Sequence, residues 1–208
     1  MIRRLQILLI LTPILLIAAC SNPASDKPRA VTSDAAPATA PAAAGEKYVI
    51  TPENSDIEFI GAKVTGHHNG SFEKFSGDIN YAGQPEKSRV RITIDIDSIT
   101  TDDAKLTAHL KTPDFFDVAK FPQSTFESTE ITPGGEAGAT HTIKGNLTMH
   151  GVTKSITFPA KIAAAADAIT VDASFAINRK DFGINFAGAS DNLIRDDVAM
   201  TLRVRATK

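Results

Sequence analysis

The chain has no tryptophan, two tyrosines and a single cysteine. One cysteine excludes an intramolecular disulfide, so stability has to come from a packed core. There is no Gly-x-Ser-x-Gly, no Gly-x-Gly-x-x-Gly and no phosphate-binding Gly-x4-Gly-Lys-Ser/Thr run, which removes the usual nucleophile-elbow, dinucleotide and P-loop chemistries. Lys and Arg number 22 against 24 Asp and Glu, a net charge of −2, and no basic cluster occurs. That balance gives no footing for nucleic acid.

Metal ligands are sparse as well. His67 and His68 are adjacent, and adjacent side chains seldom converge on one ion; no His-x3-His accompanies them or His109, His141 and His150. The acid pairs Asp102-Asp103 and Asp196-Asp197 point apart on a strand and make no catalytic dyad. The first reads as charge at a helix N-terminus, the second as a turn before the last strand. No catalytic residue and no metal are expected, and an enzyme is the disfavoured class.

The N-terminus is rich where the rest is poor. Met1–Ala19, "MIRRLQILLILTPILLIAA", has a basic start, an apolar stretch and small residues at its end. This is the pattern of an export signal, and the apolar run is shorter than the roughly 20 residues of a membrane span. Ile17-Ala18-Ala19-Cys20 resembles the lipobox of bacterial lipoproteins. The resemblance implies an acylated Cys20 (palmitate among its chains) at the start of the mature protein, and Ser21 behind it favours the outer membrane. Ser21–Glu46 is rich in alanine and proline and has no aromatic residue. With Cys20 it is expected to be a disordered or semi-extended tether, reaching roughly 80 Å at about 3.1 Å per residue.

Lys47–Lys208 is long enough for one domain. Its dominant period is two. Val90, Ile92, Ile94 and Ile96 alternate with polar residues, as do Ile169, Val171, Ala173, Phe175 and Ile177, and Val198, Met200, Leu202 and Val204. Ile143, Leu147 and Met149 alternate across Gly145. Such patterns predict half-buried antiparallel strands. Weaker strands are expected at Tyr48–Thr51, Asp56–Val64, Ser71–Tyr81, Ser124–Ile131 and Ser155–Ile162. Turns are expected at 66–70, 82–86, 132–138 and 149–151. One helix is expected near Thr101–Lys111, capped by Ser98, Thr100 or Thr101, with Leu106 and Leu110 on the sheet side. The sum is an all-β domain, either a packed sandwich or a barrel. Eleven phenylalanines with so few polar aromatics favour an apolar, ligand-holding barrel.

Four of those phenylalanines stand in "HLKTPDFFDVAKFPQSTF", His109–Phe126, a loop by its two prolines. That stretch, with "IKGNLTMHGVTKSITFPAKI" (143–162), "NSDIEFIGAKVTGHHNGSFEKFSGDI" (54–79) and "INRKDFGIN" (177–185), resembles the YceI-like family of bacterial periplasmic proteins. The resemblance spans nearly all of Tyr48–Ala206. It implies an eight-stranded, lipocalin-like antiparallel β-barrel with one short helix and a lipid tunnel. It also implies non-covalent binding of an isoprenoid lipid, a quinone or prenyl chain, with no catalysis. Tyr48 stands where many members have tryptophan, and Asn54 where many have histidine.

Tunnel lining is expected from the inward strand positions Phe59, Phe72, Val90, Ile92 and Ile94, from Leu147, Met149, Phe158, Phe175 and Leu202, and from the loop residues Phe115 and Phe116. The partners expected are an isoprenoid lipid and the membrane through Cys20, with a homodimer left open and no nucleic acid. A tethered interaction module with a solid core is the alternative.

Overall fold

The computed structural model describes residues 22–37 and 45–208. The signal-like stretch, the lipobox with Cys20, and residues 38–44 of the expected tether lie outside the described residues. No described helix is long and apolar enough to cross a membrane.

The strands follow the alternation. They are β1 (Val31–Asp34), β2 (Glu46–Ile50), β3 (Asp56–Ala62), β4 (His67–Phe72), β5 (Phe75–Tyr81), β6 (Arg89–Asp95) and β7 (Ile99–Thr101). After the helix α1 (Ala104–Leu110) come β8 (Gln123–Pro133), β9 (His141–Met149), β10 (Val152–Ala164) and β11 (Ala168–Asn178). A two-residue hairpin pair, β12 (Gly188–Ala189) and β13 (Asn192–Leu193), precedes β14 (Asp197–Thr207). Pairing runs from β11 through β10, β9, β8, β6, β5, β2 and β14 and back to β11, closing an eight-stranded antiparallel barrel. The packed-sandwich option is thereby excluded.

Two staves are broken into upper and lower halves. β14 pairs β2 only at Thr207↔Val49 and then β3 from Arg203↔Asp56 to Ala199↔Ile60. Glu73 and Lys74 split the single strand expected over Ser71–Tyr81 into β4 and β5. The Gly66–Gly70 run, expected as a turn, is mostly strand. Its residues pair with β3, Ala62↔His67 through Phe59↔Gly70. Glycine there is required by contact rather than by a bend: a Cβ on Gly70 would meet the Phe59 ring at 2.2 Å. Gly145 does the same for Phe126, whose ring would lie 2.4 Å from an added Cβ.

Helix α1 is shorter than expected and its cap is Asp103, whose carboxylate accepts from the Lys105 and Leu106 amides at 2.7 and 3.1 Å. A carboxylate outcompetes the threonines here because it also complements the positive helix end.

The expected loose tether is corrected in its described part. β10 and β11 pair directly only over Lys161–Ala164 with Asp172–Ile169. Beyond that they part, and the N-terminal segment fills the seam. Val31–Asp34 pair with Thr157–Lys154 of β10. On the other side the Ala30 amide donates to the Ala176 carbonyl, and the Ala176 amide donates to the Pro28 carbonyl, both at 2.8 Å. Ala30 joins the barrel core. Further back, Ala24 packs on the outer face against Ala176, Ala199 and Ile60. Composition suggested disorder because alanine carries little apolar area. Small side chains are what a seam between two existing strands accepts, and the unpaired edges of β10 and β11 supply the hydrogen bonds that the segment needs.

Candidate functional site

The barrel interior holds two cavities in line. The upper one, about 170 Å³, lies beneath α1 and the aromatic loop. Phe59 and Phe72 come from β3 and β4, Leu106 and Leu110 from α1, and Phe115 and Phe116 from the loop. The lower one, about 100 Å³, is bounded by aliphatic and aromatic side chains alone, among them Val90, Ile92, Phe126, Phe158, Phe175 and Leu202. Ile94, Leu147, Ile177 and Met200 border both spaces and form the constriction between them.

All twelve residues expected as lining stand on these walls. Phe59, Phe72, Phe115, Phe116 and Met149 face the upper cavity. Val90, Ile92, Phe158, Phe175 and Leu202 face the lower one, and Ile94 and Leu147 touch both. The register explains the grouping. Direct cross-strand partners share a face, so Phe175↔Met200, Ala173↔Leu202, Phe158↔Ile143 and Phe126↔Leu147 all point inward together. Phe158 and Phe175 stack with centroids 4.3 Å apart.

The aromatic loop divides its rings. Phe115 packs with His109 and Phe186, with centroids 5.0 and 5.3 Å away. Phe116 meets Phe72 edge-on. Phe126 belongs to the lower wall. Phe121 touches neither cavity; it lies against His150 and over Gly151, whose added Cβ would sit 2.4 Å from the ring. Three of the four rings therefore build the interior and one pins the loop from outside. The loop is also held by its own backbone: the Phe116 amide donates to the Leu110 carbonyl and the Val118 amide to the Lys111 carbonyl.

Among the described residues, the polar side chains that border either cavity, Lys63, His68, Ser124, Arg179 and Arg195, all border the upper one, and its inner surface is still almost wholly apolar. Arg179 is buried. Its Nε donates to the Arg195 carbonyl at 3.1 Å, Nη1 to the Ile184 carbonyl at 2.7 Å, and Nη2 to Asp196 Oδ1 at 3.3 Å. Burial lowers its basicity, and the Asp196 carboxylate works against that shift. His68 lies on a strand, with Nδ1 2.7 Å from Asp102 Oδ1. The Asn69 amide and His68 together hold the Asp102 carboxyl below its usual range. Among the described residues no three His, Cys, Asp or Glu side chains are grouped to hold a metal.

Arg179, Ile184, Ile194 and Arg195 are wall residues that sequence reasoning missed, as it missed Lys63, and His68 by reading the 66–70 run as a turn. The first four come from the irregular stretch between β11 and β14, where no period of two exists to mark an inward side. The fragment "INRKDFGIN" carried the only signal. Its Asn178 caps a short 3-10 turn, and Gly183 closes that turn at φ +76°, which needs no side chain. The two family departures lie elsewhere. Tyr48 is buried at the lower end, edge-on to Tyr81, its hydroxyl 3.3 Å from the Ala166 carbonyl. Asn54 is exposed in the turn between β2 and β3 and borders neither cavity.

Comparison with known proteins agrees with this architecture. The YceI-like domain matches residues 48–206. A UPF0312 protein of Enterobacter sp. (strain 638) is 38% identical over 122 residues, 55% of this chain and 62% of its own length. One from Pseudomonas putida (strain GB-1) is 32% identical over 139 residues, 64% of this chain and 71% of its own. The chain thus spans a little under two thirds of the first of these relatives. Among solved structures, Burkholderia cenocepacia BcnA superposes with a TM-score of 0.68 at 24% identity, covering 76% of this chain and 99% of its own. A polyisoprenoid binding domain from Saccharophagus degradans gives 0.60 at 17% identity, covering 77% and 97%. The Campylobacter jejuni YCEI protein gives 0.57 at 26%, covering 67% and 84%. The chain belongs to the YceI-like family.

Proposed function

We propose that this domain holds an isoprenoid lipid, a quinone or prenyl chain, in the barrel interior as a non-catalytic carrier or store. We further propose that acylated Cys20 anchors it on the periplasmic side of a membrane, the outer membrane by the serine at position 21. The observation that carries the first reading is the pair of apolar cavities in line, with the polar side chains that border them all on the upper one. Walls of that kind suit a tail, and side chains of that kind suit a headgroup. The likeness to a polyisoprenoid binding domain is in keeping with it.

Magnitudes decide what kind of binding this is. Burying about 40 carbons at ~0.8 kcal/mol per methylene gives roughly 30 kcal/mol, above the practical ceiling of about 18–21 kcal/mol. The relevant exchange is with a bilayer, which is about as apolar. The net is small, and a small net suits loading and unloading. Cavities of about 170 and 100 Å³ are each below the ~300 Å³ where small-ligand pockets begin. A long tail therefore requires the Ile94, Leu147, Ile177 and Met200 side chains to rotate apart. Ile94 and Ile177 are β-branched and stiff at χ1, so the unbranched Met200 is the side chain that gives most easily.

The same tight constriction favours one second reading, an interaction module with a packed interior. Titration with a long-chain quinone in detergent separates the two. A carrier gains about 2.7 kcal/mol at a hundredfold excess over Kd, read as a raised Tm, whereas a packed module shows no shift. The anchor has its own test: Cys20→Ala should move the protein from the membrane to the soluble fraction, and unchanged membrane association sinks it.

A further inference from the structure

The docked N-terminal segment fixes more than a seam. Asn22, the first described residue, lies in a polar hollow whose other walls include Val64, Leu193, Ile194, Arg195 and Arg179. Three of these, Arg179, Ile194 and Arg195, also border the upper cavity. The segment therefore runs up the outside of the barrel and ends at the cavity's polar end. Asn22 stands two positions after Cys20, at most about 7 Å of extended chain. The expected reach of roughly 80 Å is gone for as long as residues 22–37 stay docked.

The same end carries two of the four large apolar side chains exposed among the described residues, the others being Val31 on the segment and Val49 in β2. Val64 is 51% and Leu193 49% exposed, and the Val64 amide donates to the Leu193 carbonyl at 3.1 Å, so they project as a pair. Asp196 is paired with Arg179 and Lys180, and Asp197 with Arg29, while Lys63 and Arg195 stand in no ion pair among the described residues. Two apolar tips beside unmatched cations suit a lipid surface with anionic headgroups. The Arg29–Asp197 pair, the Lys154–Asp34 pair at 2.9 Å, and the reciprocal bonds between Asn146 and the Ala36 backbone, both 2.9 Å, hold the segment in place.

We propose that the docked N-terminal segment holds the barrel with the polar end of its cavity against the bilayer, Val64 and Leu193 touching the lipid. This rests on the reading of Cys20 as acylated. It turns the tether from a leash into a bracket, and gives a hydrophobic cargo a path to the membrane that avoids water.

The test uses the full, natively lipidated chain in phosphatidylethanolamine–phosphatidylglycerol vesicles containing nitroxide-labelled lipid. An environment-sensitive fluorophore is placed at Leu193→Cys, or at Glu136→Cys in the β8–β9 turn at the opposite end. The Leu193 label should be blue-shifted and quenched at least about twofold more than the Glu136 label, as insertion of roughly 5–10 Å requires. Adding Ala24→Glu and Thr32→Pro to the Leu193→Cys chain detaches the segment from the outer face and from β10. Flotation should persist and the extra quenching should vanish. Equal quenching at both labels in a floating, lipidated chain overturns the orientation. Extra quenching that survives detachment overturns the bracket. A chain that carries no acyl group overturns the anchor and the orientation together, while an isoprenoid in its extract would still support the cavity reading.

Discussion

The two ends of the barrel are built on different principles. The lower end is closed by regular strands and short turns, with Tyr48 and Tyr81 edge-on across it. The upper end is assembled from pieces that are not barrel strands: α1, the loop through Phe115 and Phe116, and the stretch from Arg179 to Asp196 with its short β12–β13 hairpin. The lower cavity is bounded by residues of alternating strands, and the upper cavity by residues from every kind of element. Rigid wall and adaptable lid are divided along the barrel axis. Strands paired on both edges open only with the whole fold, whereas loop-built elements open locally.

Substitutions should separate the two regions. The largest effect is expected in the wall. Phe175→Asp puts a carboxylate beside the stacked Phe158 ring, and a loss of at least about 4 kcal/mol is expected from lost packing plus an unpaired buried charge. Urea unfolding measures it, and ligand retention should vanish with it. Ile94→Asp at the constriction should also abolish retention; a folded variant that kept its lipid would show the assigned inward face to be wrong.

Arg179→Met comes next. It leaves the Arg195 and Ile184 carbonyls without their charged donor, and about 2–3 kcal/mol is expected. Hydrogen exchange should show that loss concentrated between Arg179 and Asp196 and not in β11 or β14. A uniform loss would erase the distinction between wall and lid.

At the constriction, Met200→Phe adds bulk where the two cavities meet, at about 1–3 kcal/mol of overpacking. Its sharper effect is on the cargo: the tail held by the variant should be shorter, as read by mass spectrometry. An unchanged length distribution would mean that the lower cavity takes no part in binding.

The smallest effect belongs to the lid helix. The amides of Leu106 and Lys105 hold the Asp103 carboxyl below its ordinary range. A carboxyl lowered on folding contributes fully above its unfolded pKa of about 3.9 and loses that contribution as pH falls through the folded value. Asp103→Ala should loosen α1 at neutral pH and match the native chain once acid has protonated Asp103. Amide exchange of α1 as a function of pH checks it.

Legibility in the sequence follows the same division. β6, β11 and β14 were readable because one face is core and the other water, so Ile92, Phe175 and Leu202 declared their side by period alone. Gly66–Gly70 was misread as a turn because glycine has two uses. Here the Gly70 position lets the Phe59 ring lie flat on the strand, which no local pattern announces. The N-terminal segment was misread because composition measures what a stretch can bury by itself. Ala30 and Val31–Asp34 are ordered by edges that β10 and β11 present, a property of the fold and not of the segment. Arg179 carries no periodicity, and its role depends on carbonyls and a carboxylate up to 17 positions away in the chain.

The most direct test of the central claim is organic extraction of the domain purified folded from its native host, with mass spectrometry of the extract. The account predicts one isoprenoid lipid per chain, displaced by added quinone. An empty extract from a folded barrel that also takes up no quinone would contradict it.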